Sequence, residues 1–594
     1  MHSSRRSFIA DTVLFLVTLS LFACVFRFVE PQYTNVLHRQ VGEKEWQTHE
    51  YPFYLSLPAG AYEVSLVMKS KFLRYTRFQF IPDNCIESMS VNGNTIPEDL
   101  FPFCDYWFGE VIDLSPYLKR GENSFLFTVG NDGGTSKIHI FTANRDPLLL
   151  FLHGLLLFVI GVYIWRLAGR ISKSRSERVL WGVFAVGIYM RMYYFFYTLA
   201  GIREVDMQAH LDYINHLLNN AYALPLSSGG WAFYHPPLYY YLSAVWMTIG
   251  GILGSAEQVL VRDLQVMALL LSAGTFAFIF WICLRLFPRE KQSSDRLLFM
   301  LLLGLQPGLI FLAARINNDV LYQFFAFAAL AFILLWWQEA KTKYWFFCIA
   351  AIALGLLSKS NILLMLPVAY GCLLLRKNIR WKNKLFLGSV GLFILMFSTG
   401  WFYGMRYLSE GDQFAMQNFR EMTDGLILDT SLHTLVEFNP VRLVEDPYNR
   451  LWEPHGGRDY FWEYWMRSAF FGRFAFTGIL TPIASSILLF ASLLVPLMLL
   501  GFYRCIRYQW YEMLPMCLCA IFLLIGHVAY RQYAPFSPSQ DFRYSIPVLV
   551  PFALFLITGI ANVQSKWWKY FWQAIVILLL LCCAAFILLM PLTQ

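Results

Sequence analysis

The chain has 594 residues, of which 57% are hydrophobic, 18% aromatic and only 14% charged. Soluble domains carry about 25% charged residues, so this composition excludes an ordinary soluble domain, and several apolar runs reach the roughly 20 residues that cross a bilayer. The formal charge of +8 calls for no nucleic-acid partner, because the basic residues gather in short loops between apolar runs, where they report membrane orientation.

The first apolar run, about Phe8 to Phe28, follows MHSSRR. It is long for a signal-peptide core and lacks a clear cleavage site, so residues 1–28 read as a retained helix with its amino end in the cytoplasm. Residues 29–146 differ in kind. In AYEVSLVM, Tyr62, Val64, Leu66 and Met68 alternate with Glu63 and Ser65; SFLFTV and KIHIF are also strand-like, and VNGN and NDGG are turn chemistry. The segment is long enough for its own core and predicts an extracytoplasmic β-sandwich inserted between two helices. Cys85 and Cys104 both fall in it, where a disulfide is plausible. Most of the other cysteines sit in apolar runs, including Cys517 and Cys519, and read as buried thiols.

A second helix, about Pro147 to Trp165, returns to the basic loop RLAGRISKSRSER, closing the segment 147–178. A third, about Val179 to Ala200, leads to GIREVDMQAHLDYINHL. A fourth, about Leu264 to Phe287, ends at PREKQSSDR, the fifth at ARINND and the sixth at QEAKTK. Two short spans pinched at SKSN follow, then a ninth at about Leu385 to Tyr403. Residues 179–404 thus form a transmembrane core with interfacial helices at 203–252. An extracytoplasmic loop covers 405–476 and the last helices 477–594. About thirteen helices alternate in this way, and every strongly basic short loop then falls on the cytoplasmic side.

The charged residues that could carry chemistry gather on the opposite side. Asp206, His210 and Tyr213 lie at i, i+4 and i+7 and would share one helix face, although an acid at a first turn also suits the helix dipole. WAFYHPPLYYYLSAVW contains His235 and reads as a second interfacial helix. Asn318 and Asp319 open the sixth helix, where an acid can also simply cap. Lys359, amid a long apolar stretch, is expensive in a bilayer and needs a partner or a role, with snorkelling as the plain alternative. Arg543, Tyr544 and Arg531 flank the mouth of the twelfth helix, and arginine suits bidentate phosphate recognition, although an interfacial anchor is the plainer role. No Walker motif, dinucleotide-binding glycine fingerprint or HExxH is present, which argues against cytoplasmic ATP as the energy source.

Two resemblances attach to these residues. VNGNTIPEDL…VIDLSPYLKRGENSFLFTVGNDGG resembles the galactose-binding-like jelly roll found beside many carbohydrate enzymes. The order Glu204-Val-Asp206, HPPLYYYL, Asn318-Asp319, GLLSKSN and FRYSIPVLVP resembles the GT-C superfamily of membrane glycosyltransferases, closest to the branch of protein O-mannosyltransferases and the lipid A aminoarabinose transferase. This likeness covers about Val179 to Ala561. Where that family commonly has adjacent acids, Val205 separates them here, and the first two helices and the sandwich are an addition to the family's core.

The resemblance implies an inverting transfer of a hexosyl or pentosyl group from a polyprenyl-phosphate donor to an acceptor hydroxyl on the extracytoplasmic side. Asp206 would be the general base, with Glu204 second and His210 orienting it. Lys359, Arg543, Arg531 and Tyr544 would hold the donor phosphate. His235, Tyr213, Asn318 and Asp319 would touch substrate. Some relatives use a divalent cation; Mg²⁺ or Mn²⁺ would here be held by Asp206 and Asp319. The partners implied are the lipid-linked sugar, a glycan, lipid or protein acceptor, and membrane lipids. The setting implied is a bacterial inner membrane with the site facing the periplasm, or an endoplasmic reticulum membrane with it facing the lumen. The rival readings are a flippase for lipid-linked sugars and a non-catalytic carbohydrate-binding subunit.

Overall fold

The computed structural model describes residues 14, 17, 18, 20–22, 24–26, 28–49, 53–82, 84–104, 110–143, 146–172, 174–198, 203, 204, 206–252, 257–289, 292–411, 426–450 and 457–590. The chain divides into two compact units that meet in sequence at Ile171–Ser172. In the first, the described residues between 14 and 29 are helical; most of the run before them lies outside the described residues.

Ten strands follow: β1 (Gln32–Gln40), β2 (Gln47–His49), β3 (Phe53–Leu57), β4 (Gly60–Ser70), β5 (Arg77–Pro82), β6 (Cys85–Val91), β7 (Asn94–Thr95), β8 (Glu110–Asp113), β9 (Gly121–Asn131) and β10 (Gly134–Thr142). They form a six-stranded sheet in the order β2-β1-β4-β9-β6-β7 and a four-stranded sheet in the order β3-β10-β5-β8. The alternation in β4 sets its register. Tyr62, Val64, Leu66 and Met68 are buried while the residues between them are not, and β4 pairs antiparallel with β9 from Gly60–Asn131 to Ser70–Gly121. Val64 and Phe127 of one sheet share a core with Phe80 and Ile138 of the other. Asn92 and Gly93 join β6 to β7, both at positive φ (53° and 81°), the geometry that an Asn-Gly hairpin turn requires. Cys85 and Cys104 form a disulfide with Cα atoms 4.1 Å apart.

Helix α1 (Pro147–Ile171) leaves the sandwich through Asp146. One carboxylate oxygen of Asp146 accepts from the Leu148 and Leu149 amides. The other accepts from the Thr76 and Arg77 amides. One buried acid therefore satisfies orphan donors of a helix start and ties them to the edge of β5. Phe26 of the amino-terminal helix lies against His153 of α1, ring centroids 5.3 Å apart.

The second unit is helical. Its long elements are α2 (Arg175–Phe196), α5 (Glu257–Leu286), α8 (Asp319–Glu339), α11 (Trp381–Glu410), α15 (Leu480–Tyr508), α16 (Leu514–Tyr533) and α18 (Lys566–Leu589). Between them lie α3 (Met207–Asn219), α4 (Leu238–Ile252), α6 (Ser293–Gly304), α7 (Pro307–Ile310), α9 (Thr342–Leu356), α10 (Met365–Leu375), α12 (Leu432–Val436), α13 (Pro440–Glu445), α14 (Phe461–Phe471) and α17 (Leu549–Ala561). Among the described residues of both units, eight helices are long and apolar enough to cross a membrane, or nine if a bent pair is one span; three more apolar segments are shorter. This is a multi-pass membrane protein with a β-sheet domain.

The bent pair is the fifth expected span, which is not straight. Helix α6 and the stretch Pro307–Ala314 meet at 63°. Pro307 cannot donate to the preceding turn, and the Gln306 side chain accepts from the Leu309 amide at 2.7 Å and donates to Ala469 O. Arg191, fully buried in α2, donates to Gly304 O (3.3 Å) and Gly187 O (2.9 Å) and lies over the Phe276 ring. A cation at the carboxyl end of α6 suits the helix dipole. Helices α15 and α17 approach backbone to backbone: a Cβ on Gly501 would stand 1.7 Å from Phe555 O, and one on Gly559 2.0 Å from Leu497 O. Small residues permit such crossings in membranes. This contact seats α17 directly after the loop that carries Arg543. The ninth expected span begins earlier and runs on to Glu410, so the polar loop after it is shorter than expected and carries α12, α13 and α14; residues 412–425 and 451–456 of it lie outside the described residues.

Candidate active site

The site forms where four chain breaks converge. At the first, α9 stops at Leu356 and Lys359 takes an extended backbone (φ −159°, ψ 134°) before a 3₁₀ turn at Ser360–Leu364. The carbonyls freed by this break find partners on other elements. Ser358 O accepts from the Asn318 amide group at 3.1 Å, and Leu357 O from the Leu238 backbone amide at 2.8 Å. Leu238 follows Pro236 and Pro237, which have no N–H, so its amide is a free donor at the start of α4. The HPPL sequence thereby docks α4 onto the Lys359 break.

The second break is the loop from Arg315 to α8. Asp319 is 1% exposed. One carboxylate oxygen is bound by the Lys359 ammonium. The other accepts from Arg543 Nη1 at 3.2 Å and from Asn317 Nδ2 at 3.4 Å. Arg543 also stands 3.6 Å from Asp541, so Lys359, Arg543 and Arg473 face the two carboxylates of Asp319 and Asp541, a local excess of one positive charge. Arg543 belongs to the third break, a 3₁₀ turn at Phe542–Tyr544 capped by Asp541. Asp541 is in turn paired with Arg473 at 3.2 Å. The Tyr544 ring lies 5.2 Å from Lys359 Nζ and 5.3 Å from the Arg543 guanidinium carbon, contacts of cation–π type.

The fourth break precedes α3. Asp206 is its N-cap residue, in left-handed backbone (φ 60°), exposed, with no capping hydrogen bond from its side chain. Asp206, expected in the first turn, thus stands just before it, and its side chain does not bond the helix amides. Asp206 lies within electrostatic reach of His210, Tyr234 and Arg543. His210 is buried; its Nδ1 pairs with Tyr240 OH at 2.8 Å, and its ring stacks 5.8 Å from that of His235. Burial lowers the His210 pKa to about 4, and burial with the nearby Lys359 lowers His235 well below its ordinary value. Both imidazoles are neutral at physiological pH and act as hydrogen-bonding groups. Tyr213 is fully buried, stacked on Tyr240 at 3.8 Å. It supports the site from below rather than lining it.

Glu204 has a different surrounding from Asp206. Its Oε1 accepts from the Ile316 amide at 3.0 Å, and its Oε2 is buried without a hydrogen-bond partner. Burial raises its pKa to about 8, opposed by Arg315 and the Ile316 amide. The folded state thus holds a proton that the unfolded chain releases near pH 4.5, and stability falls as pH rises from about 4.5 to 8. Glu204→Gln is expected to flatten that slope in thermal melts recorded across this window.

Arg531 stands apart from the cluster. It is fully buried, and its Nη2 donates to Asp429 O (2.6 Å), Thr434 Oγ1 (3.1 Å) and Asp459 O (3.1 Å). These are backbone and hydroxyl acceptors of the segment between α11 and α14. Arg531→Ala is expected to cost about 3 kcal/mol of stability, since it strands buried acceptors, with little change in donor affinity; thermal melts and donor titration separate the two.

Sequence reading missed Arg315, Asn317, Tyr234, Tyr240 and Asp541. Arg315, Asn317 and Tyr234 adjoin residues singled out from the sequence, and adjacency to a charged break is the signal that finds them. Tyr240 lay in a run read only as interfacial aromatics. Among the described residues, no group of three or more His, Cys, Asp or Glu side chains is arranged to hold a metal ion.

Residues 234–403 match the family model described as dolichyl-phosphate-mannose-protein mannosyltransferase. The matched stretch holds Tyr234, His235, Asp319 and Lys359; Asp206 and Arg543 lie outside it. No curated protein matches the chain. The multi-pass helical core and the matched stretch together support a membrane glycosyltransferase of the GT-C type. That family is named for a dolichyl-phosphate-mannose donor and a protein acceptor.

Proposed function

We propose that this chain moves a sugar from a polyprenyl phosphate to an acceptor hydroxyl, with inversion. Asp206 takes the acceptor proton as general base. The acceptor oxygen forms the new bond to the anomeric carbon, and the bond to phosphate breaks with its electron pair on the phosphate oxygen. Lys359 and Arg543 stabilise that charge, and Tyr544 borders the same cations. Glu204, with its protonated carboxyl, His210 and His235 orient sugar or acceptor hydroxyls by hydrogen bonds. Asn317 and Asn318 hold the loop that presents Asp319. The observation that carries this reading is a buried Lys359–Asp319–Arg543 cluster with the exposed carboxylate of Asp206 within electrostatic reach of Arg543.

The donor set at Asp319 does not fit a divalent cation. Lys359, Arg543 and Asn317 already occupy its carboxylate oxygens, and two adjacent cations oppose a third. Transfer is therefore expected to survive removal of divalent cations by a chelator, measured as product formed per minute with and without it.

The site works on the extracytoplasmic side in this reading, in the periplasm or a lumen, and the cytoplasmic preference of basic short loops supports it. With the amino-terminal helix and the shorter apolar segments crossing as well, the chain spans about thirteen times.

The test uses the purified chain in lipid with a panel of polyprenyl-phosphate sugars and envelope acceptor, following release of free polyprenyl phosphate. Release coupled to acceptor glycosylation supports the reading, and the active donor names the sugar. Movement of the intact lipid-linked sugar across the bilayer without release would replace it with a flippase. Tight sugar binding with neither would replace it with a binding subunit.

A further inference from the structure

The sandwich carries a patch that the catalytic reading leaves unused. Phe72 and Leu73, at the tip of the turn after β4, are 70% and 47% exposed. They sit between Lys71 and Arg74 in SKFLRYT, and the neighbouring turn before β9 adds Lys119 and Arg120. The two turns are joined: Ser70 Oγ donates to Lys119 O at 2.7 Å, Arg74 Nη2 to Leu118 O at 3.1 Å, and the Arg120 guanidinium lies over the Phe72 ring at 4.4 Å. The acid Glu122 is paired with Lys69 at 3.6 Å. The patch is thus an aromatic and aliphatic tip ringed by four cations.

Its place in the unit is fixed at the membrane end. Lys71 Nζ stands 4.5 Å over the ring of Phe28, the end of the amino-terminal helix. Asp146 binds Thr76 and Arg77 directly to the start of α1, a membrane-spanning helix. The tip is therefore level with the point where both helices meet the sandwich. An exposed Phe-Leu pair at that level faces the head-group layer, where aromatic residues settle, and cations there attract anionic lipid.

We propose that Lys71–Arg74, with Lys119 and Arg120, forms a lipid contact: Phe72 and Leu73 insert at the acyl boundary and the four cations bind phosphates of anionic phospholipid head groups. The contact holds the sandwich down on the bilayer beside its own two helices. It is independent of the glycosyl-transfer reading.

The test places a photo-crosslinking benzoylphenylalanine at position 72 of the full chain, in nanodiscs of phosphatidylcholine with one-third phosphatidylglycerol. Adducts are identified by mass spectrometry. Phospholipid adducts are expected, with phosphatidylglycerol enriched severalfold over its share. The enrichment should vanish when Lys71, Arg74, Lys119 and Arg120 are all changed to glutamine. Adducts confined to protein, or lipid adducts with no anionic preference, would overturn the proposal. Hydrogen exchange of the unmodified chain is the second measurement: residues 70–74 and 117–121 should be slowed in anionic nanodiscs relative to pure phosphatidylcholine, and equal exchange would overturn it too.

Discussion

Asp206→Asn is expected to lower glycosyl transfer by roughly 10²–10⁴-fold, the range that loss of a general base produces. The carboxylate is exposed and makes no capping hydrogen bond, so its loss as a charge should leave thermal stability within about 0.5 kcal/mol. Asparagine is the informative substitution because Asp206 has left-handed backbone, which asparagine tolerates and a β-branched residue does not. Alanine would add backbone strain of about 1–2 kcal/mol and blur the result. Donor affinity should hold or tighten, since a negative charge acting on Arg543 is removed. Rates of polyprenyl-phosphate release and a donor titration, on wild type and variant at matched folding, check both halves. Unchanged release by a folded Asp206→Asn would remove Asp206 as the base and turn attention to Glu204, which would first have to lose the proton that burial holds on it.

The largest stability effect should come from Asp319→Ala. Removing one partner from a buried ion pair costs about 3–5 kcal/mol, because the remaining charge stays desolvated; here Lys359 would lose its carboxylate while Arg543 kept only Asp541. Lys359→Met is expected to behave differently. Asp319 would keep Arg543 at 3.2 Å, so the fold survives better, yet transfer should fall by about 10²–10³-fold with the loss of one leaving-group cation. The contrast tests the two jobs proposed for the cluster, Asp319 holding the cations in place and Lys359 meeting the substrate. Melting temperatures in lipid and single-turnover rates for both variants measure it. Equal losses of stability and rate in the two would mean that Lys359 serves only as the partner of Asp319.

The legible parts of the chain were those set by local rules. The alternation in β4, the Asn-Gly turn after β6 and the apolar runs of the long helices each follow from neighbours in sequence. The candidate residues were legible as expensive residues in apolar context, and Lys359 stood out for that reason. Their pairing was not legible. Lys359 meets Asp319 across 40 positions and Arg543 meets it across 224, separations at which no periodicity or spacing constrains contact. Arg531 looked equivalent to Arg543 because both are arginines at one mouth; only tertiary placement shows that backbone carbonyls near Asp429 and Asp459 claim it. The bend between α6 and α7 was also hidden. The groups that make the break tolerable, Gln306, Arg191 and Ala469, come from three parts of the chain.

That bend has a kinetic consequence. Helix α6 has 12 residues, a rise of about 18 Å, against a hydrocarbon core of about 30 Å. The chain then turns by 63° just before the loop that carries Arg315, Asn317 and Asp319, so a single straight crossing does not deliver them. A polyprenol-bound donor would reach these residues by lateral diffusion, its tail never leaving hydrocarbon. The concentration that governs turnover is then the mole fraction of donor in the leaflet, and diluting the bilayer with inert phospholipid slows the reaction even when the amount of donor per millilitre is unchanged.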